Sequence, residues 1–410
     1  MENWWKSWEE INHFLRDKIL VLYGRSDDWI PKSLKKLKKT PSYIVDSNKT
    51  FSGTFYDDIP IVSTDKLLKE NRDNVYIVIT TGNYHGVVTF LVDNGFTPGL
   101  NFSCSPEYRS LSLLEDIRNY EQEVIISCSD YDVKTKARYS RAGGGLYLYH
   151  IGPNKLSLLS KGSFRQVIQV GDIFYAIDHV DPKVCIFDKD FKVLDNLPLD
   201  QPKYCGIAYN EKRKVLILTN AEVDTISIHD VKTFKLLERL KYSDRYEEKL
   251  TSQHHLNDVC VTDDHLYVSY FSHSGNWKKG VYDGGISELN LDCLSEPPVR
   301  IVEGLWKPHS PKIIDAELCY LDSMRGILHT TTHVVEGVFP GFVRGLAHDG
   351  RFFYIGQSEH MYVHRLVGIR NNIMLNAGFY LFDRHTKSSR FYPMLDNMNV
   401  HDILIRRKDE

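Results

Sequence analysis

The chain has 410 residues, of which 42% are hydrophobic, 26% charged and 12% aromatic, and its formal net charge is −3. This length predicts two domains, or one large β-architecture with an appendage. The charge balance excludes the global basic footprint of a nucleic-acid-binding protein. The sequence contains no run of 18 apolar residues, so no membrane span is predicted. Seven dispersed cysteines without a C-x-x-C pair, and an N-terminus without the apolar core of a signal peptide, predict reduced thiols and a cytoplasmic location.

The first hundred residues alternate between helical and strand patterns. We predict an N-terminal helix over residues 1–17, and then an α/β domain over 18–106. Its strands are KILVLYG (18–24), PSYIVDSN ending in Asp46, a short IPIV strand and VYIVITTG (75–82). A helical segment follows the first, third and fourth of these strands. The alternation predicts a small doubly wound sheet, joined to the rest of the chain by a linker over 107–122.

This stretch resembles the small Rossmann-like domain appended to some sugar-modifying enzymes, namely sugar C-methyltransferases and sugar O-acyltransferases. Asp46, Gly53 and IPIV match that pattern. The turn after the first strand is GRSDDW, which keeps only Gly24 of a dinucleotide-binding G-x-G-x-x-G, and its two aspartates would repel phosphate. We therefore expect no NAD binding. A structural or docking domain is the main interpretation, and a small-ligand pocket near residues 80–85 is the alternative.

From about residue 120 helical periodicity stops, and short β-rich runs recur in units of about 35–60 residues. FRQVIQVGDIFYAIDHVDPKVCIFDKDFKVL (164–194) and YCGIAYNEKRKVLILTNAEVDTISIHDVKTFKLL (204–237) show the plan. Six such units predict a six-bladed β-propeller over residues 123–410, so the predicted fold class is α/β plus all-β. The first unit lacks its opening strand, which VHDILI (400–405) is predicted to supply, closing the ring.

The innermost strands of a propeller line its axis, so their first residues meet at one mouth of the channel. Aligned at that position, the six units carry Arg165, Cys205, His255, His309, Arg344 and His401. Three neutral imidazoles can hold a divalent metal such as Zn, Mn, Fe or Ca, with open positions for water or substrate. The two guanidiniums suit an anionic ligand. His254 is expected just outside this ring.

These positions define the predicted site. His255, His309 and His401 are the predicted metal ligands and catalytic residues, with Tyr270 as a further proton-transfer group. Arg165, Arg344, Asn257, Ser310 and Asp322 are predicted to bind substrate or support the ligands. Two alternatives stay open: the histidines are solvated channel residues without a role, and Cys205 is either a fourth ligand or a small core residue.

Four ordered motifs lie in this region, namely HLN (255–257), PHSPK (308–312), LDS (321–323) and GFVRGLAHDGRFFYIGQSE (341–359). They resemble a family of largely uncharacterised bacterial six-bladed β-propeller proteins with the pattern H-L-N, P-H-S-P-R, L-D-S and G-F-x-R-G-L-A. Lys312 replaces the usual arginine of the second motif. The resemblance implies the propeller fold and the importance of His255, His309 and Arg344, and it implies no particular reaction.

Together these features lead to three hypotheses. The first is a metal-assisted lyase, epimerase or hydrolase acting on an anionic sugar or nucleotide-sugar in bacterial surface-polysaccharide biosynthesis. The second is a non-catalytic module that binds a glycan or another anion. The third is a scaffold that docks other glycan enzymes or forms a homo-oligomer. Stoichiometric metal in purified protein favours the first, and metal-free protein that binds anions favours the second.

Overall fold

The structure is a computed structural model that describes residues 4–129, 144–331, 334–359, 363–366, 372–395, 397 and 399–406. The chain divides into two compact units, Met1–Asp116 and Ile117–Glu410. The boundary falls inside the predicted linker 107–122, where the structure has an α-helix, Arg109–Arg118. Within the described residues no helix is long and apolar enough to cross a membrane.

The N-terminal unit is an α/β fold around one six-stranded sheet. Its helices are Trp8–Phe14 (α1), Trp29–Leu34 (α2), Thr64–Leu68 (α3), Tyr84–Asp93 (α4) and Arg109–Arg118 (α5), with 3₁₀ turns at Lys49–Phe51, Arg72–Asn74 and Pro106–Tyr108. Its strands are Ile19–Tyr23 (β1), Tyr43–Val45 (β2), Phe55–Tyr56 (β3), Ile59–Val62 (β4), Val75–Ile79 (β5) and Phe102–Cys104 (β6). The helix predicted over residues 1–17 is shorter in the structure: α1 covers only Trp8–Phe14, and a capping box between Ser7 and Glu10 fixes its start.

The sheet order is β3-β4-β2-β1-β5-β6, and β4, β2, β1, β5 and β6 run parallel. The side chains of β1 alternate between the two faces of the sheet. Val21 packs in the apolar cluster on one face, and Leu20 and Leu22 pack in the cluster on the other. Both faces of the sheet are therefore covered at β1. The turn after β1 requires glycine, since Gly24 has φ +102° and a Cβ there would lie 2.3 Å from Thr81 Cβ.

The second unit is a β-propeller of six four-stranded sheets, which confirms the predicted fold of this region. Blade 1 consists of Glu123–Cys128 (β7), Gly145–His150 (β8) and Lys155–Lys161 (β9), completed by Val400–Ile405 (β30). Blade 2 consists of Phe164–Val170 (β10), Ile173–Asp178 (β11), Lys183–Phe187 (β12) and Val193–Pro198 (β13). Blade 3 consists of Tyr204–Asn210 (β14), Val215–Asn220 (β15), Thr225–Asp230 (β16) and Leu236–Lys241 (β17).

The remaining blades follow the same plan. Blade 4 consists of Leu256–Val261 (β18), His265–Tyr270 (β19), Gly284–Asn290 (β20) and Val299–Leu305 (β21). Blade 5 consists of Pro308–Ile314 (β22), Glu317–Asp322 (β23), Ile327–Thr330 (β24) and Val334–Val338 (β25). Blade 6 consists of Phe342–His348 (β26), Phe352–Ser358 (β27), Gly378–Asp383 (β28) and Ser388–Pro393 (β29). Short helices at Arg245–Lys249 (α6) and Val363–Leu366 (α7) and a 3₁₀ turn at Trp277–Lys279 lie in the connections.

The ring closes as predicted. Strand β30 pairs antiparallel with β7 as the innermost strand of blade 1, and the innermost strands contact one another in the order β10, β14, β18, β22, β26, β30 and back to β10. Apolar clusters hold neighbouring blades together: Ile217 and Ile226 of blade 3, for example, pack with Val259 and Val268 of blade 4. This rigid ring brings residues that are far apart in sequence to the axis.

Candidate functional site

Every innermost strand contains a register shift near its start, which changes which residues are equivalent among the blades. Before the shift, each strand pairs with the end of the second strand of its blade. Those first pairs are Phe164–Asp178, Tyr204–Asn220, Leu256–Tyr270, Pro308–Asp322, Phe342–Ser358 and Val400–Cys128. The residues that follow them are Arg165, Cys205, Asn257, His309, Val343 and His401.

The predicted ring is therefore out of register at two of its six positions. Asn257, not His255, is equivalent to His309 and His401, while His255 lies two residues earlier and Arg344 one residue later. The cause is local geometry. The bulges insert extra residues, and His255 is the turn residue before β18, with a left-handed φ of 54°. Lys203 and Lys307 precede β14 and β22 in the same conformation, with φ of 63° and 55°.

Despite the shift, these residues surround one cavity of about 290 Å³ at the axis, which we call the axial cavity. It brings together residues from blades 2 to 6, and its lining includes most of the predicted ring. The lining residues are Arg165, His179, Lys203, Cys205, Ala221, Glu222, Ser252, His255, Asn257, Phe271, Trp277, Lys278, His309, Phe342 and Arg344.

The backbone around His255 is fixed by one buried carboxylate. Asp224 accepts hydrogen bonds from the backbone N–H groups of Gln253, His254 and His255, at 2.6, 2.9 and 2.7 Å. The His255 ring then packs against Phe271 and Trp277, with ring centroids 4.5 and 4.7 Å apart. Burial, reinforced by the positive charge of Lys307, lowers the pKa of His255 to about 3, so its imidazole is neutral.

His309 has partners at both ring nitrogens. Nε2 lies 3.0 Å from Asn257 Nδ2, and Nδ1 lies 2.7 Å from Ser323 Oγ and 3.0 Å from Lys307 O. Burial, and then the positive charge of Arg344, holds the pKa of His309 well below its usual value. The Asn257 amide donates to a neutral ring and fixes its tautomer.

His401 is fully buried beside His309, with their ring centroids 6.0 Å apart, and neither of its nitrogens has a hydrogen-bond partner among the described residues. Its Nδ1 lies 3.9 Å from Asp258 Oδ1, which also lacks a hydrogen bond to that part of the chain. Asp258 Oδ2 accepts from the backbone N–H and the hydroxyl of Ser310. Burial, and then the negative charge of Asp402, raises the pKa of Asp258 to about 7.

These contacts do not form a metal site. In the part of the chain that the structure describes, no group of three His, Cys, Asp or Glu side chains is arranged to hold a metal ion. Phe271 packs against both His255 and His309, with ring centroids 4.5 and 5.2 Å away, and the nitrogens of His309 are already engaged. Burial raises the pKa of the Cys205 thiol to about 11, so Cys205 is a poor thiolate ligand.

Positive charge dominates the cavity. Arg165 is 9% exposed and forms no hydrogen bond or ion pair with any described residue. The Arg344 guanidinium donates to Ser358 Oγ and Asn399 Oδ1, which are neutral acceptors. Lys203 and Lys278 add two further cations to the lining. Glu222, the one acidic residue among the described lining residues, is paired with Lys203.

Other residues predicted for the site have structural surroundings. Tyr270 is buried among the apolar residues of blades 3 and 4 and does not line the axial cavity; burial raises the pKa of its hydroxyl above the usual range. Asp322 accepts from the Trp306 backbone N–H and pairs with Arg325. Ser310 donates to Asp258 and accepts from the Gly345 N–H. None of these three residues belongs to the described lining of the axial cavity.

Sequence reasoning missed several cavity residues. Lys203 stands one residue before an innermost strand, as His255 does, and this shared position is the signal that could have identified it. His179 comes after the second strand of blade 2, and its ring Nδ1 lies 3.3 Å from the Tyr204 carbonyl oxygen. Trp277 is in the connection between β19 and β20, and its contact with His255 depends on how that loop folds. No local sequence pattern indicates that His179 or Trp277 lines the cavity.

Part of the propeller is similar to a known protein family. Residues 207–389 are similar to a family described as a domain of unknown function, DUF4915. The matched segment includes His255, His309 and Arg344 and excludes Arg165 and His401. No curated protein matches the chain.

Two solved structures are similar to the chain at low sequence identity. One is described as a crystal structure of the nidogen/laminin complex, with 10% identity and a TM-score of 0.48, and the match covers 70% of this chain and 98% of the other. The second is an auxiliary nutrient binding protein from Bacteroides thetaiotaomicron VPI-5482, with 11% identity and a TM-score of 0.43, and the match covers 58% of this chain and 74% of the other.

Proposed function

We propose that the axial cavity binds a small anionic molecule, and that a sugar carrying a phosphate or carboxylate group is its ligand class. The observation that carries this proposal is Arg165, a buried residue that lines the cavity and whose guanidinium has no acceptor among the described residues. An unpaired buried charge is costly, and such groups are normally paired with an opposite charge. A phosphate or carboxylate supplies that charge and accepts two parallel hydrogen bonds from the guanidinium.

The surrounding charges support an anion and disfavour a cation. Arg344, Lys203 and Lys278 line the same cavity, and the Glu222 carboxylate is already paired with Lys203. The pKa of His255 and His309 is lowered, so these rings are neutral hydrogen-bonding groups at pH 7. The same positive potential opposes a divalent metal. The metal-assisted reaction expected from three converging histidines is therefore not part of this proposal.

The sugar part of the proposal rests on the cavity walls and on the N-terminal unit. Phe271, Trp277 and Phe342 line the cavity and offer apolar surface to the C–H groups of a sugar ring. We propose further that the N-terminal unit is Rossmann-like, which is supported by the parallel order β4-β2-β1-β5-β6 with β1 at its centre. Its resemblance to domains of sugar-modifying enzymes favours a cytoplasmic role in polysaccharide biosynthesis, by association alone.

Calorimetric titration of the full chain tests the proposal. The ligands are inorganic phosphate, glucose 1-phosphate and glucuronate, with glucose as the neutral control. We expect glucose 1-phosphate to bind and glucose not to bind. Arg165→Met removes charge-assisted hydrogen bonds worth about 1.5–3 kcal/mol, so binding weakens more than about tenfold. Arg165→Lys keeps the charge and loses the planar arrangement of donors, so its affinity for glucose 1-phosphate should lie between those of the wild type and Arg165→Met.

The matched control is Arg16→Met, which removes an exposed arginine of the N-terminal unit. It should bind glucose 1-phosphate like the wild type. Equal affinity for glucose and glucose 1-phosphate, or unchanged affinity in a folded Arg165→Met variant, contradicts the proposal.

A further inference from the structure

We propose that Ser243 and His254 form a nucleophile–base pair in a second cavity, between blades 3 and 4, which hydrolyses small esters carrying a negative charge. This side cavity has a volume of about 260 Å³. Its lining shares no residue with the axial cavity and consists of Tyr242, Ser243, Arg245, His254, His273, Pro297, Pro298 and Arg300. The adjacent histidines of the HHLND segment thus line different cavities, and the proposal is independent of anion binding at Arg165.

The partners of the His254 ring determine where its proton lies. Nδ1 is 3.0 Å from the Ser272 carbonyl oxygen, which can only accept, so Nδ1 carries the hydrogen. Nε2 is then the unprotonated nitrogen, and Ser243 Oγ lies 2.6 Å from it. The serine hydroxyl must therefore donate to Nε2. A serine hydroxyl that donates to a histidine, with the histidine oriented by a third group, is the arrangement that activates a serine nucleophile.

The surroundings of His254 favour this state. The residue is 3% exposed, and burial lowers the pKa of its imidazole, although the nearby Asp224 carboxylate opposes that shift. The ring is held by Tyr242, whose ring centroid is 4.8 Å away at an interplanar angle of 61°, and its backbone N–H donates to Asp224. His254 is thus a neutral base in a fixed orientation, whereas Ser243 is partly exposed and lines the cavity.

The reaction balances with water as the second reactant. Ser243 Oγ attacks the acyl carbon of the ester while its proton moves to His254 Nε2. The bond to the leaving oxygen breaks, and that oxygen takes the proton from Nε2. Water then attacks the acyl-serine, gives a proton to Nε2, and Ser243 Oγ leaves with that proton. The products are an alcohol and a carboxylic acid.

The charges at the cavity rim indicate the substrate class. Arg245 donates to the neutral carbonyl of His273 and forms no ion pair with a described residue, whereas Arg300 is paired with Glu303. Within the described part of the chain, Arg245 is therefore a cation without a counterion at the cavity that Ser243 lines. An ester with a carboxylate or phosphate group complements it, and a cavity of this volume accommodates a small acyl group.

The test uses the full chain and an alkyl fluorophosphonate, whose phosphorus bonds to an activated serine with loss of fluoride. We expect a single adduct on Ser243, located by peptide mass spectrometry. Ser243→Ala should abolish it. Ser157→Ala, which removes a half-buried serine of blade 1, should leave the labelling rate unchanged. His254→Gln keeps a hydrogen-bonding group but removes the base, so labelling should slow by roughly 10²-fold or more.

Two further measurements distinguish activation from a structural hydrogen bond. The labelling rate should rise with pH as His254 loses its proton and reach its plateau below the usual imidazole value. Hydrolysis of 4-nitrophenyl hydrogen succinate should be faster than that of 4-nitrophenyl acetate, and Arg245→Met should remove this preference. A wild type without an adduct on Ser243, or equal labelling in a folded His254→Gln variant, overturns the proposal. If His254→Gln does not fold, the wild type alone provides the test, and a wild-type labelling rate that does not rise with pH in this way also overturns the proposal.

Discussion

Arg165 combines a stability cost with a proposed function. The residue is 9% exposed, its buried Nε has no hydrogen-bond partner among the described residues, and neighbouring histidines have their pKa lowered in part by its charge. A buried charge without a counterion destabilises the folded state, so replacing it with an apolar side chain removes a desolvation cost. The residue therefore favours ligand binding at the expense of the unliganded fold.

We predict that Arg165→Met unfolds at a higher temperature than the wild type in phosphate-free buffer. Adding inorganic phosphate should raise the unfolding temperature of the wild type and leave the variant unchanged, because a ligand stabilises only the state that binds it. Differential scanning calorimetry measures both effects. Lower thermal stability of Arg165→Met without phosphate would mean that the guanidinium has a structural partner.

Asp258 should make stability depend on pH. Burial and the Asp402 carboxylate raise its pKa from the usual 3.8 to about 7, and Lys312 and Ser310 partly oppose this. Between these values the folded state keeps a proton that the unfolded state has released. The free energy of unfolding contributed by Asp258 therefore falls as the pH rises through this window, and the loss is complete above about pH 7.

We predict that Asp258→Asn, which cannot ionise, flattens this decline and is more stable than the wild type at pH 8. Urea unfolding at pH 5, 6, 7 and 8 provides the comparison. Asp190→Asn, which changes an exposed carboxylate of blade 2, should keep the wild-type slope. The buried histidines, whose pKa is lowered, affect both proteins equally, so the difference between them isolates Asp258. A stability difference between Asp258→Asn and the wild type that does not change across this pH range would contradict the assignment.

Among the secondary-structure elements, β30 joins the two most distant parts of the propeller. Val400 and Ile403 are buried in the cluster that joins blades 1 and 6, and the Asp402 side chain accepts from the Val167 backbone N–H of blade 2. One strand thus connects three blades. Its removal would expose β7 and the facing side of blade 6 at once.

We predict that Ile403→Ala lowers the free energy of unfolding by about 2–5 kcal/mol, the usual cost of truncating a buried isoleucine. Val193→Ala, in the outermost strand of blade 2, removes methyl groups from a residue that is 53% exposed and should change stability by less than about 0.5 kcal/mol. Chemical denaturation measures both. Equal effects of the two substitutions would show that β30 contributes little to closure.

The sequence predicted elements better than it predicted their registers. Turn signals and alternating apolar residues identified six units and the strand VHDILI, because each unit must bury its own faces. The bulges near the start of each innermost strand carry no sequence signal, so His255 and Arg344 were aligned with residues that are not their structural equivalents. Arg165, His309 and His401 were placed correctly relative to one another. The partners of His254, Ser243 and Ser272, depend on a loop conformation that a single sequence does not report.

At the scale of the whole molecule, the chain consists of two compact units with separate cores. All the residues of the axial cavity and of the side cavity belong to the second unit. We predict that residues 117–410 expressed alone fold into the propeller and bind glucose 1-phosphate with the affinity of the full chain. Circular dichroism and calorimetry test this. A folded propeller that no longer binds would place part of the ligand site in the N-terminal unit.

The N-terminal unit should not bind NAD or NADP. After Gly24, Arg25 pairs with Asp27, and its backbone N–H donates to Asp46, so this turn is already occupied by the protein's own acidic groups. Asp28 precedes α2, where a dinucleotide would place its pyrophosphate. Titration of NADH followed by its fluorescence should show no saturation in the micromolar range. Saturable micromolar binding would refute this prediction.

The closing strand also determines when the propeller can be completed during synthesis. Asp402 donates its backbone N–H to Ser127, a residue 275 positions earlier. At about 5–20 residues per second, a ribosome needs roughly 14–55 s to make the chain between them. During that time the inner edge of β7 stays unpaired while the ribosome synthesises the other five blades. The nascent protein therefore has an exposed strand edge for most of its translation, and a chaperone that covers β7 would act before residue 405 is made.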